Sequence, residues 1–325
     1  MLFRRTLLAT ALTLATVGAF AQSTTDYPSK PVTIVTPFAA GSGPDAVLRL
    51  ISDKLAKLWN QRVVIDNKPG GGGFIAIEQA KRAAPDGYTL LQLDSEHLAA
   101  LPHLYKQRNF VPLQTFDAVA SLFRTPFFVA VPTDSPWKTM GDLIAAAKEK
   151  PDSLSYGSWG VGSPGHLGGQ QLEALTGTAM QHVPYREVSQ LFANVGAGDV
   201  NWSFASIPSS QGIYKAGKLR YLAVAALKRV PQLPNVPTFA ESGGPAGFEV
   251  SSFVSLVAPK GLPAAVRLKI NADVAKVIAD PDIRARFDTF AFEPLAWSPE
   301  EINRNAEAKS KIYGELVRRG NISLD

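Results

Sequence analysis

The chain has 325 residues, 46% of them hydrophobic, which is enough to build two apolar cores by burial alone. It contains no cysteine, so a disulfide scaffold, thiolate zinc sites and a cysteine nucleophile are excluded. The formal charge of +5 becomes +3 once Arg4 and Arg5 are set aside, and the remaining basic residues are scattered among acids, a pattern that argues against nucleic-acid or membrane-surface binding.

Residues 1–21 begin with a basic stretch at Arg4 and Arg5, continue with an apolar run from Leu7 and end in Ala19-Phe20-Ala21. This is the pattern of a signal peptide cleaved near Ala21, and it predicts export to the periplasm. The apolar run is short and diluted by threonine, unlike a membrane anchor, and Gln22 stands where a lipoprotein would have cysteine.

The strand VTIVT from Val32 then runs into an amphipathic helix through a turn with almost no side chains: Phe38, Ala39, Ala40, Gly41, Ser42 and Gly43. Pro44 sits in the first helical turn, and Val47, Leu50, Ile51, Lys54, Leu55 and Leu58 are spaced for one buried stripe. A helix start of this kind offers uncommitted amides and a positive dipole end, which suits an anion. The run Gly41-Ser42-Gly43-Pro44-Asp45 lacks both the Gly-Lys-Ser/Thr of a phosphate loop and the third glycine of a dinucleotide loop, so a carboxylate is the natural guest. Further strands are predicted at Arg62 and Tyr88. Between them, the glycines that follow Pro69 read equally well as a tight connection or as a ligand contact. Glu96 and His97 follow the Tyr88 strand at its C-terminal end, the edge where open α/β sheets bind ligands. They could serve as base and orienter in a secreted hydrolase, although no serine has glycine at both two-residue flanks.

The second third of the chain repeats the device. After strands at Phe127 and Ser153 come Ser158, Trp159, the sequence GVGSPG over residues 160–165, and His166 at the opening of a helix that ends before Gly177. GVGSPG matches a dinucleotide pattern literally. A structural turn and a second amide cradle are the alternatives, and the cradle is preferred because Ser158 and Ser163 add hydroxyls without charge. No histidine spacing suits zinc, and no metal or cofactor is assigned. The alternation of strands and helices predicts an α/β protein with mostly parallel sheets. FFVAV from Phe127 and FVSLVAPKGLP from Phe253 read as strands crossing between two lobes: residues 22–125 with about 251–325, and residues 126–250. Helices near 263–279, after Pro281 and from Ser298 to Gly320 close the chain, the last one free to pack on either lobe.

These segments together resemble the Bug-type extracytoplasmic solute receptors, the substrate-binding component of tripartite tricarboxylate transporters. The match is carried by YPSKPVTIVTPFAAGSGPD, VVIDNKPGGGG, APDGYTL, LYKQRNF, SYGSWGVGSPGHL, HVPYR, GKLRYLAV, LPNVPTFAESG and LVAPKGLP. The resemblance implies a periplasmic-binding-protein (type II-like) fold, two α/β lobes closing on a ligand cleft. It further implies a small carboxylate held largely by backbone amides, delivery to transporter membrane subunits, and a monomer without catalysis; a sensor for a signalling partner is the other reading. The site it implies is the Phe38–Gly43 turn, Glu96 and His97 after Asp94, Ser158, Trp159, Gly162, Ser163, His166, and Ala205 with Ser206. An acid at position 205 would suit an amino group, and Ala205 argues against one. Trp159, where a small residue is common, would narrow the pocket or stack on an aromatic acid.

Overall fold

The computed structural model describes residues 27–325, so the segment 1–21 read as a signal peptide lies outside the described residues. In the first lobe, β1 (Val32–Thr36), α1 (Gly43–Trp59), β2 (Val63–Asn67), α2 (Phe74–Lys81) and β3 (Thr89–Asp94) form consecutive crossovers. Three short helices follow, α3 (Ser95–Ala99), α4 (Leu101–Leu104) and α5 (Pro112–Thr115), and then the long strand β4 (Phe116–Pro126).

The chain then enters the second lobe: β5 (Phe128–Pro132), α6 (Met140–Glu149), β6 (Ser155–Ser158), α7 (Pro164–Thr176), β7 (Gln181–Pro184), α8 (Val188–Ala197), β8 (Trp202–Ala205), α9 (Ile207–Lys215) and β9 (Leu219–Val224). It returns through β10 (Ser251–Pro259) to α10 (Ala264–Ile278), α11 (Pro281–Phe290), β11 (Glu293–Pro294) and α12 (Pro299–Arg319). The sheets run β11-β4-β10-β3-β1-β2 and β7-β6-β8-β5-β9.

Both sheets are mixed, where the sequence pattern predicts mostly parallel ones. β1, β2 and β3 are parallel to one another, as are β6, β7 and β8. The crossing strands break the pattern, because a chain that leaves one lobe and re-enters it must run against the strands beside it. β10 is antiparallel to β3 and β4, and β5 is antiparallel to β8 and β9. The crossing itself is continuous backbone pairing: Thr125 faces Ser252 and Pro126 faces Ser251. Phe127 N donates to Val250 O at 3.3 Å, Ala225 N to Phe127 O at 2.8 Å, and Val250 N to Ala225 O at 3.0 Å.

Helix caps fix where the elements begin. Thr139 with Asp142 and Ser298 with Glu301 form reciprocal capping boxes at α6 and α12. Helix α1 buries Val47, Leu48, Ile51, Leu55 and Trp59, so its stripe is rotated from the predicted one. Leu58 is exposed, and Lys54 instead pairs with Asp280 and Asp282 of α11. Helix α12 packs on β4, α3 and α4 of the first lobe and also on α7 of the second. There Leu104, Leu167, Tyr313, Leu316 and Val317 form one apolar cluster spanning both lobes. Among the described residues no helix is long and apolar enough to cross a membrane.

Candidate functional site

A cavity of about 560 Å³ opens between the lobes, within the size range of small-molecule sites. The first lobe contributes Phe38, Gly41, Ser42, Gly43, Pro44, Ala46 and Asp94, then Thr125, Ser252, Val254, Phe290 and Phe292. Phe127 lies at the crossing. The second lobe contributes Trp159, Pro164, Val188, Ser189, Ser206, Pro208, Ser209 and Gln211. Among the described residues no lysine, arginine or histidine lines it.

The wall is made where helices begin. Gly43 is the first residue of α1, Pro164 of α7 and Val188 of α8, while Ser206 caps α9. These helices are 17, 13, 10 and 9 residues long, long enough to carry a dipole, and their positive ends meet at one space from both sides. The lobes come close at this point: a β-carbon at Gly43 would lie 3.4 Å from Phe292 Cζ and 3.4 Å from Pro208 Cγ.

The α1 turn is organised from within. Asp45, fully buried, accepts the Gly41 amide at 2.8 Å, Arg49 through Nε at 2.9 Å and a terminal nitrogen at 3.0 Å, and Asn67 Nδ2 at 2.8 Å. Burial alone would raise the Asp45 pKa, but these donors outweigh it and hold the carboxyl below its ordinary range. Phe38 N is bound to Thr36 Oγ1 at 3.2 Å. The turn therefore presents fewer free amides than its sequence suggests: Gly41 and Phe38 are committed, and Gly43 has no acceptor among the described residues. Beneath it, buried Gln92 accepts from Thr36 Oγ1 at 2.7 Å and donates to Pro44 O at 3.3 Å, tying β1, β3 and α1 together.

Of the residues singled out in the sequence, Phe38, Gly41, Ser42, Gly43, Trp159 and Ser206 line the cavity; Ala39 and Ala40 are exposed beyond its wall. Glu96 and His97 face elsewhere. Buried Glu96 accepts from Ser252 Oγ and from Tyr313 OH at 2.7 Å, and burial beside Asp94 pushes its carboxyl upward. His97 bonds through Nδ1 to Asp94 rather than to Glu96, so no Glu–His dyad exists. Burial disfavours the His97 charge, yet Asp94 outweighs it and raises the His97 pKa. The His97 ring lies against Gly73, a left-handed residue (φ 88°) whose missing β-carbon gives it room, and packs edge-on to Phe38 at 5.9 Å. The glycine-rich turn is thus a structural seat that braces Phe38 from behind.

The second glycine loop also differs from the reading of its sequence. The Ser158 and Ser163 hydroxyls both donate to Gly160 O, at 3.0 and 2.7 Å, and Gly162 N donates to His166 Nδ1 at 3.0 Å. Ser158, Gly162, Ser163 and His166 are spent on holding the loop, because a sharp turn leaves carbonyls and amides that only neighbouring side chains can satisfy. His166 stacks on His182 at 3.9 Å, and burial lowers the two pKa values to about 3 and about 4. Ala205 is buried within the sheet. Trp159 keeps its place at the wall, tilted on Phe127 at 5.2 Å and lying over Gly165.

Residues of the wall not singled out as site residues in the sequence are Pro44, Ala46, Pro164, Val188, Ser189, Pro208, Ser209, Gln211, Asp94, Thr125, Ser252, Val254, Phe127, Phe290 and Phe292. Those at the start of α9 follow the same strand-to-helix rule as α1, with Ser206 as cap and Pro208 in the first turn; the start of α8 has no side-chain cap, and most of the others arrive from distant parts of the chain. Among the described residues no cluster of three or more His, Asp or Glu side chains is arranged to hold a metal.

A model of the family described as "Tripartite tricarboxylate transporter family receptor" matches residues 47–322. A protein of Pseudomonas sp. (strain P51), named for the tcbD-tcbE intergenic region, is 34% identical over 97% of this chain and 93% of its own. Two solved structures from Rhodopseudomonas palustris share the fold. Rpa4515 with adipate is 30% identical, with a TM-score of 0.81 over 92% of this chain and 100% of its own. MatC with bound malate is 28% identical, with a TM-score of 0.77 over 90% of this chain and 100% of its own.

Proposed function

Because the chain belongs to the tripartite tricarboxylate transporter receptor family, we propose that it captures a small carboxylate in the periplasm and presents it to the membrane subunits of a transporter. The single observation that carries this reading is the meeting of four helix starts, two lobes and no cationic side chain at one cavity. Main-chain donors and dipole ends are fixed before the ligand arrives, so the ordering cost of a mobile lysine or arginine is avoided. Two relatives of the same fold hold adipate and malate, both small carboxylates.

The lobes of the proposal are residues 22–125 with about 251–325, and residues 126–250, hinged at the paired backbone of Thr125–Phe127 and Val250–Ser252. Closure brings the α7, α8 and α9 starts onto an anion already resting on α1. Ligand contacts are assigned to Phe38, Gly41, Ser42, Gly43, Trp159 and Ser206. Segment 1–21 directs export. Calorimetry on the purified mature chain with a panel of carboxylates tests the function: saturable one-to-one binding with the ligand recovered unchanged supports a receptor, and turnover or no binding opposes it.

A further inference from the structure

The cavity wall carries features that its helix starts alone do not account for. Five aromatic rings stand on its wall: Phe38, Phe127, Trp159, Phe290 and Phe292. Each of them packs against another ring, Phe290 edge-on to Phe292 at 5.4 Å. Phe292 stacks on Phe123 at 4.4 Å with planes 2° apart, Phe127 is fixed by Trp159, and Phe38 by His97. Such rings cannot swing aside to admit water around a highly charged solute, and they favour a flat apolar body.

Asp94 adds a second constraint. It is the only Asp, Glu, His, Lys or Arg among the described residues that line the wall. Its Oδ1 receives Glu96 N at 3.1 Å, His97 N at 3.0 Å and the His97 ring, while Oδ2 has no partner among the described residues. Ser252 and Thr125 share that side of the cavity: Val254 is paired with Asp94 across β10 and β3, and Ser252 with Thr125 across β10 and β4. The Ser252 proton is already given to Glu96. Asp94 Oδ2 thus offers an acceptor on this side of the wall, and a carboxylate of the solute placed against it would be repelled.

Resting on the carboxylate-receptor reading, we propose that the solute is an aromatic monocarboxylate bearing a hydroxyl, with the carboxylate at the helix starts, the ring among the aromatic side chains and the hydroxyl donating to Asp94 Oδ2. Citrate-like solutes are selected against, because the helix starts converge on one space and no lysine, arginine or histidine among the described residues stands elsewhere on the wall to meet a further carboxylate. The absence of the hydroxyl leaves Asp94 Oδ2 without a donor in the closed cavity, which is a stronger penalty than a poor fit of apolar surface.

Calorimetric titration of the mature chain with benzoate, 3- and 4-hydroxybenzoate, 4-hydroxyphenylacetate, phenylacetate, terephthalate, adipate and citrate tests this. At least one hydroxylated monocarboxylate is expected to bind tenfold or more tighter than its unhydroxylated parent and than terephthalate, adipate and citrate. Asp94→Asn is expected to reduce the hydroxyl preference below threefold; the wild-type ratio is the primary readout, since it needs no variant. Tighter binding of terephthalate, adipate or citrate than of every hydroxylated acid overturns the proposal and leaves the carboxylate receptor standing, as does equal binding of hydroxylated and parent acids. If no carboxylate binds, the receptor reading falls with it.

Discussion

The Asp45 carboxylate accepts the Gly41 amide at 2.8 Å, so the turn that opens α1 is shaped by the third residue of the helix it precedes. Arg49 and Asn67 complete the coordination of the same carboxylate. Asp45→Ala leaves those donors and the turn amide without their shared acceptor, in a buried position. A loss of about 2–4 kcal/mol is expected, read as a lower urea midpoint, together with at least tenfold weaker ligand binding as the turn loosens.

Gly43 tests the cavity without disturbing the fold. Its β-carbon would sit at 3.4 Å from Phe292 and Pro208, in the space between the lobes. Gly43→Val fills that space, and calorimetry is expected to show affinity reduced tenfold or more. Thermal unfolding in the absence of ligand should change by only a degree or two, because the position is not in a core.

Gly162 marks where the lobes touch. It is left-handed (φ 80°), and a β-carbon there would collide with Leu104 Cδ1 of the first lobe. Gly162→Ala is expected to hold the lobes apart, raising the radius of gyration of the ligand-loaded protein and weakening binding. Adding Leu104→Ala removes the collision but leaves the backbone strain, so the double variant should recover compactness in part.

The stacked pair His166 and His182 gives a pH prediction. Burial lowers their pKa values to about 3 and about 4, so the unfolded chain takes up protons first as the pH falls below about 6.5. The stability they leave intact at neutral pH is therefore lost progressively from pH 6.5 downward. The order of magnitude is about 2–4 kcal/mol by pH 4. His97 has the opposite sign: with its pKa raised by Asp94, its contribution is complete below pH 6.5 and is lost only on the alkaline side. Carboxylates such as Asp45, whose pKa is lowered, stabilise the fold above the ordinary carboxylate range and lose that contribution only at lower pH still. Urea midpoints measured at pH 7, 5.5 and 4.5 should fall in the native chain and fall less in His182→Gln.

The legible parts of the molecule are those in which local chemistry decides the geometry. The turn from Phe38 to Gly43 and the start of α1 could be read because a near-naked turn, Ser42 as cap and Pro44 in the first turn leave the backbone few alternatives. The ends of α6, α7 and α12 were marked in the same way. Glu187, by contrast, makes no side-chain cap at α8, and the start at Val188 carries no local mark. Phe290 and Phe292 reach the cavity only because α11 folds back on α1, a tertiary fact without local trace. Ser158, Ser163 and His166 bond within their own loop for a related reason: a loop sequence shows which groups can donate, but not that Gly160 O and Gly162 N take them up at close range. Glu96 and His97, adjacent in sequence, were separated because each found a nearer partner, Ser252 and Tyr313 for one and Asp94 for the other.

The most direct measurement is a crystal structure of the mature chain with its tightest-binding carboxylate. The account predicts the carboxylate oxygens against the Gly43 amide and the starts of the second-lobe helices, with no lysine or arginine within hydrogen-bonding distance. A carboxylate paired with a cationic side chain, or bound outside the space between the lobes, would contradict it.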